Sequence, residues 1–382
     1  MSKIVITSYK NCIGVFVFKK QKPEIIRLFP KTEFKLGSIY LGRISKIVPE
    51  MNACFASVQK GTECFVPLYK CMHEGEYIIL QIDQYGRGEK KMKAKHRIDL
   101  PGQYCVLDED IKGIKYSKHI SRMNIKKINA YLSNENIDIQ NISPGYIIRT
   151  ASEVLDDFSP LLKEILYFKQ SYRDIKTKAA HAAYGTLLYE PGSEYSIFLQ
   201  TLYKSDDDEI ITDDLVYYNE LKTQFPNYNI RLYDDDYSLT KLYSLNTHIE
   251  EALSQKVYLP SGGNIILQIT EALLAVDINS GKGTSQKNKN SDELYFLTNK
   301  EATLEILRQL KLRNISGMIL IDYINMRDKN LYTQLEDIIK KDLPNDYSKV
   351  QFIDWTGLGL GEFTRKKNGL SIYEALDMNV IG

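Results

Sequence analysis

Two short apolar runs in the last third of the chain each end in an aspartate: Leu273-Leu-Ala-Val-Asp277 and Met318-Ile-Leu-Ile-Asp322. Between them, Ile278 to Gly283 reads as a turn and Leu294 to Arg313 as a helix with Leu297, Leu304, Leu307 and Leu310 on one side. Two buried strands joined by a helix pair in parallel through a right-handed crossover, so their C-terminal ends lie side by side at one edge of the sheet. Asp277 and Asp322 are then neighbours. Paired carboxylates repel unless they share a cation or a proton, and an oxygen-rich, histidine-free site suits Mg²⁺, with Mn²⁺ as the alternative, and not zinc. Such an ion polarises a phosphate oxygen and activates water, so phosphodiester hydrolysis is the natural chemistry. Asn279, two residues beyond Asp277, reaches the same mouth and can hold a water or a phosphate oxygen; Lys282, Lys287 and Lys289 stand beside it. A second reading of the same spacing makes both aspartates caps of turns or of the following helix.

The elements that must position this pair are embedded in a chain of 382 residues with 43% hydrophobic and 26% charged residues, enough for a sizeable core and about two to four domains. Disorder and collagen-like repetition are excluded. Alternating apolar residues at Ile4, Ile6, Gly14 to Phe18 and Ile25 to Leu28 predict a small antiparallel sheet with a turn at Lys19 to Pro23. From Gly37 the pattern becomes short β-rich segments, Ser38 to Val48, Cys54 to Gln59, Glu63 to Pro67 and Tyr77 to Tyr85, punctuated by Gly, Pro and Asn as in an OB-type barrel. Helices are expected over Glu153 to Lys178, interrupted early by Pro160, and over Asp213 to Phe225 and Leu239 to Ser254.

The formal net charge is only +1, but the charge is segregated. Arg87 to Lys127 holds twelve basic and five acidic residues, a balance of +7, whereas Lys204 to Asp236 holds three and ten, a balance of −7. A basic face could track a phosphate backbone, although charge runs are most often solvated surface. The five cysteines, Cys12, Cys54, Cys64, Cys71 and Cys105, never form a C-x-x-C pair, which argues against a disulfide framework and a zinc knuckle and for a reducing, cytoplasmic setting. Nowhere do 18 consecutive apolar residues occur, so no membrane partner is expected. The five histidines form no ligand-like pair.

Several separate motifs stand in one order: Leu259-Pro-Ser-Gly-Gly-Asn264, Thr270-Glu-Ala-Leu273, Ala275-Val-Asp-Ile-Asn-Ser280, Arg308-Gln-Leu-Lys-Leu-Arg313 and Gly317 to Tyr323. Together they resemble the catalytic core of the ribonuclease E/G family. The resemblance extends more weakly to the opening hairpin and to Gly37-Ser-Ile-Tyr-Leu-Gly42.

The resemblance implies a multidomain α+β and α/β architecture. It places an RNase H-like domain at 1–36 and 191–257, an inserted OB-fold RNA-binding barrel at 37–97, a 5′-sensor region at 98–190 and a DNase I-like catalytic domain at 258–382. It implies a Mg²⁺-dependent endoribonuclease acting on single-stranded RNA in RNA processing or decay and leaving 5′-phosphate and 3′-hydroxyl ends. Asp277 and Asp322 then bind the metal, and Asn279 orients the attacking water. The aspartates are 322 − 277 = 45 residues apart, slightly more than is usual in the family, which places extra residues in the loop after Lys282. Ile147-Ile-Arg-Thr-Ala151 matches the sensor motif, so Arg149 and Thr150 are expected to grip a 5′-monophosphate, closed in by backbone around Gly102 and Val106. Phe55 and Phe65 are expected to stack on RNA bases, with Lys90 or Lys91 on a phosphate. No cysteine follows Cys105, so no zinc is expected; a zinc-linked tetramer is not expected either, and a homodimer remains open. The acidic run after Lys204 and the absence of arginine from Glu194 to Leu199 depart from the family pattern, and the alternative function is an RNA-binding regulator with little or no nuclease activity.

Overall fold

The computed structural model describes residues 2–69, 72–86, 91–202, 208–281 and 291–377. The chain divides into two compact units, residues 1–31 with 201–382 and residues 32–200. It is a mixed α+β fold in which the described strands form four sheets, one of them closed into a barrel.

In the first unit, Ser2–Tyr9, Cys12–Lys19 and Lys22–Pro30 form an antiparallel meander. Lys20 and Gln21, the two residues of its second turn, have φ of 47° and 65°, the left-handed pair whose twist matches that of the flanking strands. Glu209–Thr212 and Ile230–Leu232 extend this sheet in parallel beyond the first strand. Val5, Phe16, Ile26 and Leu28 pack against Leu239, Leu245 and Ile249. The helix expected from Leu239 to Ser254 is two helices, Leu239–Leu242 and Leu245–Leu253, because Ser244 takes a left-handed φ of 48° that breaks the hydrogen-bond ladder. The helix expected from Asp213 starts at Leu215 instead, since the Asp214 carboxylate caps it by accepting the Val216 N–H.

The second sheet of this unit has six strands in the order Lys256–Tyr258, Asn264–Ile269, Leu273–Asn279, Gly317–Asp322, Leu360–Arg365, Val350–Trp355. Helices Ser291–Arg313 and Lys329–Asp342 cover one face, joining Leu274, Val276, Ile278, Ile319, Ile321 and Phe363 to Ala302, Ile306, Leu310, Leu335 and Ile339. One expectation is corrected here: Leu307 and Leu310 are buried, but Leu297 and Leu304 are 57% and 39% exposed. The buried side of that helix runs through Asn299, Ala302, Thr303, Ile306, Leu310 and Arg313, and its polar members pair inside the core, so leucine positions alone misplace the face.

In the second unit, Ile39–Val48, Ala53–Gln59, Thr62–Pro67, Met92–Lys95 and Tyr77–Gln84 close into a five-stranded OB-like barrel, because the first and last of these also pair. Its interior combines the small side chains Cys54, Ala56, Val58, Cys64, Val66 and Ala94 with the larger Tyr40, Ile44 and Leu80. Gly42 is required there: a Cβ would lie 2.3 Å from Leu80 Cδ1 and 3.1 Å from the Ser57 carbonyl. The other sheet, Ile114–Tyr116, Gly145–Ile148, Cys105–Asp108, Asp99–Pro101, packs against helices Arg122–Asn134 and Ser159–His181. The helix expected from Glu153 begins at Ser159: Pro160 lies in its first turn, where no N–H is needed, and Thr150–Val154 forms a separate 3-10 turn.

Candidate active site

The strands Leu273–Asn279 and Gly317–Asp322 pair in parallel, with Asp277 directly opposite Asp322. Leu274, Val276 and Ile278 point into the helix-covered core, so the period-two alternation of the strand turns Asp277 and Asn279 to the open face. Both aspartates are exposed. Asn279 Nδ2 donates to Asp277 Oδ2 at 2.7 Å, which fixes that carboxylate and leaves its other oxygen available. Glu362 lies across from Leu320 and Asp354 across from Glu362, so further carboxylates stand on the same face a short step along the strands.

The mouth is held from beneath and from one side. Asn299, fully buried, donates from Nδ2 to the Ile324 carbonyl at 2.8 Å and accepts the Ile324 N–H at 3.0 Å, pinning the chain just after Asp322. Thr303 Oγ1 is 3.1 Å from the Tyr323 hydroxyl, whose pKa burial pushes up, so it stays protonated. On the side of Asn279, the Ser-Gly-Gly turn and the chain after Asn279 approach too closely for side chains: a Cβ on Gly263 would lie 2.7 Å from the Asn279 carbonyl, and one on Gly281 would lie 2.7 Å from the Gly262 carbonyl. Lys282, Lys287 and Lys289 lie outside the described residues. No cluster of three or more His, Cys, Asp or Glu side chains able to hold a metal occurs among the described residues. The donor set is two carboxylates in register, hard oxygen ligands of the kind that Mg²⁺ takes while keeping several waters, with the Asn279 amide beside them. The residues present therefore fit such an ion.

The arginines of the neighbouring motifs work elsewhere. Arg365 is buried, donates to Asp346 at 2.7 and 2.9 Å, and adds bonds to Asn314 Oδ1 and the Ile315 carbonyl. Arg313 holds the Ser254 carbonyl and the Tyr373 hydroxyl, and Arg308 reaches the Pro23 carbonyl. These are structural clamps.

In the second unit, Arg149 and Thr150 are exposed at the end of strand Gly145–Ile148. Arg149 Nη1 donates to the Gly102 carbonyl, and the Thr150 hydroxyl is 2.9 Å from that of Ser117. Val106 lies opposite both Ile147 and Pro101. Arg149, Thr150 and Gly102 are thus brought together, with Val106 on the adjoining strand. Ser117 and Glu164, whose carboxylate holds the segment after Gly102, are additions that the sequence reading missed.

Phe55 and Phe65 are directly paired across neighbouring barrel strands, edge to face with centroids 6.1 Å apart. Cys54, Ala56, Cys64 and Val66 point inward, so the two rings lie on the outer surface, half-buried. Lys91 Nζ sits 4.8 Å from the Phe55 ring centre and pairs with Glu63, a contact that holds the Glu63 carboxyl below its ordinary pKa. Lys90 lies outside the described residues.

The sequence profile described as the Ribonuclease E/G family matches residues 99–368. Ribonuclease E of Synechocystis is 28% identical over 399 residues, covering 98% of this chain and 58% of that protein. Ribonuclease G of Escherichia coli K12 is 28% identical over 374 residues, 89% of this chain and 74% of that one. A protein named putative ribonuclease E from Buchnera aphidicola is 32% identical over 362 residues, 86% of each chain. The chain spans a little over half the length of its cyanobacterial relatives, 58% in Synechocystis and 57% in Nostoc. No helix among the described residues is long and apolar enough to cross a membrane.

Proposed function

Because the chain belongs to the ribonuclease E/G family, we propose that it is an endoribonuclease that cleaves single-stranded RNA with the help of Mg²⁺, leaving 5′-phosphate and 3′-hydroxyl ends, and acts in RNA processing or decay. The observation that carries this reading is the in-register pair Asp277 and Asp322 with Asn279 bonded to the first. A divalent cation held by the two carboxylates supplies Lewis-acid polarisation of a phosphodiester oxygen. The chain's own residues do the rest. Asp277 and Asp322 anchor the cation, and Asn279, with its amide nitrogen engaged by Asp277, presents its side-chain oxygen to a water proton and orients the nucleophile. Asn299 keeps the turn after Asp322 from relaxing as charge changes at the mouth.

In the second unit, Phe55 and Phe65 offer aromatic surface to unstacked bases, which supports a single-stranded substrate. Arg149 and Thr150 offer a fork of donors and a hydroxyl to a 5′-monophosphate, which supports a 5′-end sensor. The corresponding division of the chain is an RNase H-like part at 1–36 and 191–257, the barrel at 37–97, the sensor region at 98–190 and a DNase I-like catalytic part at 258–382. The test is incubation of a 5′-labelled unstructured RNA with the protein in Mg²⁺, in Mn²⁺ and in EDTA, with the new ends mapped by phosphatase and ligase treatment. Metal-dependent internal cleavage with ligatable 5′-phosphates is the expected result. RNA that binds but stays intact in both metals would overturn it in favour of an RNA-binding regulator.

A further inference from the structure

The segment that follows Gly102 is held by a side chain for which the chemistry above has no use. Glu164, on helix Ser159–His181, accepts three successive backbone N–H groups: Gln103 to Oε1 at 2.7 Å, and Tyr104 and Cys105 to Oε2 at 2.8 and 2.7 Å. The carboxylate also fills the space where a side chain at position 102 would stand, since a Cβ on Gly102 would lie 2.3 Å from Oε1 and 2.4 Å from Cδ. On its carbonyl side the same segment faces the other way. The Gly102 carbonyl accepts the Arg149 guanidinium, and the Tyr104 carbonyl accepts the Arg149 N–H at 2.7 Å and the Ser152 hydroxyl at 3.1 Å. The ribbon 102–105 therefore runs between Glu164 and Arg149, with the amides of 103 to 105 toward the acid and the carbonyls of Gly102 and Tyr104 toward the arginine.

We propose that Glu164 is a positioning residue for 5′-phosphate recognition: by taking the amides of residues 103 to 105 it turns the Gly102 and Tyr104 carbonyls toward Arg149 and fixes the guanidinium in one orientation. The proposal rests on the 5′-sensor reading of Arg149 and Thr150. A charged acceptor binds amides more strongly than a neutral one, so a carboxylate here orders a ribbon that would otherwise be loosely held at the protein surface. The Gly102 N–H is likewise engaged, with the Cys105 carbonyl at 2.9 Å, so every N–H from 102 to 105 is bonded within the chain. Gly102 thus acts through its carbonyl, as an anchor for Arg149, and the N–H groups of 102 to 105 are not the ones that meet the phosphate. An arginine held at one nitrogen by a backbone carbonyl keeps its remaining donors in a fixed plane, the condition for two parallel bonds to a phosphate.

The experiment compares kcat/KM for one RNA carrying either a 5′-monophosphate or a 5′-hydroxyl, in the full chain and in Glu164→Ala, Glu164→Gln and Arg149→Ala. In Glu164→Ala the monophosphate preference should fall at least fivefold through a higher KM for the monophosphate RNA, while kcat/KM for the hydroxyl RNA stays within twofold. Hydrogen exchange of the amides at 103 to 105 should accelerate in the same variant. Glu164→Gln keeps the shape and one acceptor oxygen, should fold even where the alanine variant does not, and should give an intermediate preference. A preference that survives Glu164→Ala or Glu164→Gln unchanged while Arg149→Ala erases it would overturn the role of Glu164 and leave the sensor standing. Equal losses on both RNAs with a lower melting temperature would also overturn it, since that is what a purely structural carboxylate gives. A preference unaffected by Arg149→Ala would instead refute the sensor reading itself, and this proposal with it.

Discussion

Replacing Asp322 by asparagine should have two effects of opposite sign. Asp277 and Asp322 are direct partners on adjacent parallel strands, so their carboxylates stand roughly one strand spacing apart, about 5 Å. Two like charges at that distance in a water-like medium repel by about 1 kcal/mol. Because both side chains are exposed, the value near the aqueous limit is the relevant one, and the bond from Asn279 to Asp277 offsets part of it. Without a divalent ion, Asp322→Asn should therefore be as stable as the parent or more so, by at most about 1 kcal/mol or about 2 °C in melting temperature. Cleavage should move the other way. Losing the several kcal/mol of transition-state stabilisation that an anchored cation supplies corresponds to a fall in kcat of about 10³-fold or more. The assay is melting of both proteins in EDTA and in Mg²⁺ beside single-turnover cleavage of a labelled RNA; Mg²⁺ should raise the melting temperature of the parent more than that of the variant. Unchanged turnover, or a variant clearly less stable in EDTA, would refute the reasoning, since the latter would make Asp322 a structural cap.

Phe55→Ala should weaken binding of an uncleavable single-stranded RNA by about 1 to 3 kcal/mol, roughly 5- to 150-fold, with kcat unchanged at saturation; fluorescence anisotropy measures it, and equal affinity would return Phe55 to packing alone. Asn299→Ala leaves the half-buried Ile324 peptide without the side-chain partner of its N–H and carbonyl, so it should cost about 1 to 3 kcal/mol in urea unfolding and lower kcat more than it raises KM. Glu194 is half-buried beside the Tyr85 hydroxyl, and desolvation there raises its carboxyl pKa above the ordinary 4.5. A carboxyl raised in the folded state favours folding while protonated, and that contribution is lost as pH rises from about 4.5 through the raised value. Glu194→Gln should flatten this fall in stability across that window, and an identical pH slope in both proteins would show that Glu194 does not cause it.

The Asp277 and Asp322 pair was legible because three local signals agree: two apolar runs, each ending in an acid, and a helix-length stretch between them. Parallel pairing then leaves little freedom in register, and the register found is the one that sets the acids side by side. The barrel was legible for a similar reason, its strands being short and punctuated by Gly and Asn. Glu164 was not legible, because its partners are backbone N–H groups some 60 residues away and any residue type can supply those. Asn299 was hidden in another way: a polar residue on a helix reads as solvated, and only the fold reveals that Ile324 needs both of its bonds. The outward orientation of Phe55 and Phe65 was not decided by alternation alone, since either parity of these two strands could have faced the interior, and it was their small residues Cys54, Ala56, Cys64 and Val66 that did.

The motif residues thus separate into two physical classes that the sequence presents side by side. Arg365 and Arg313, both fully buried, and Arg308, partly so, spend donors on carbonyls, on Asp346, on Asn314, on Tyr373 and on Glu305. Removing one partner of a buried, hydrogen-bonded pair such as Arg365 and Asp346 typically costs about 3 to 5 kcal/mol, because the other charge is stranded. Asp277, Asp322, Arg149 and Thr150 are exposed, and little of the fold depends on them. For that reason, loss of activity in an Arg365 variant says nothing about catalysis, whereas loss of activity in an Asp277 or Asp322 variant that melts normally bears directly on it. Glu164 falls between these classes: it is half-buried, and it bonds three backbone N–H groups and the Cys105 thiol of the same ribbon, so its removal should loosen that one ribbon without unfolding the unit. Its effect should therefore appear in the choice between 5′ ends before it appears in stability.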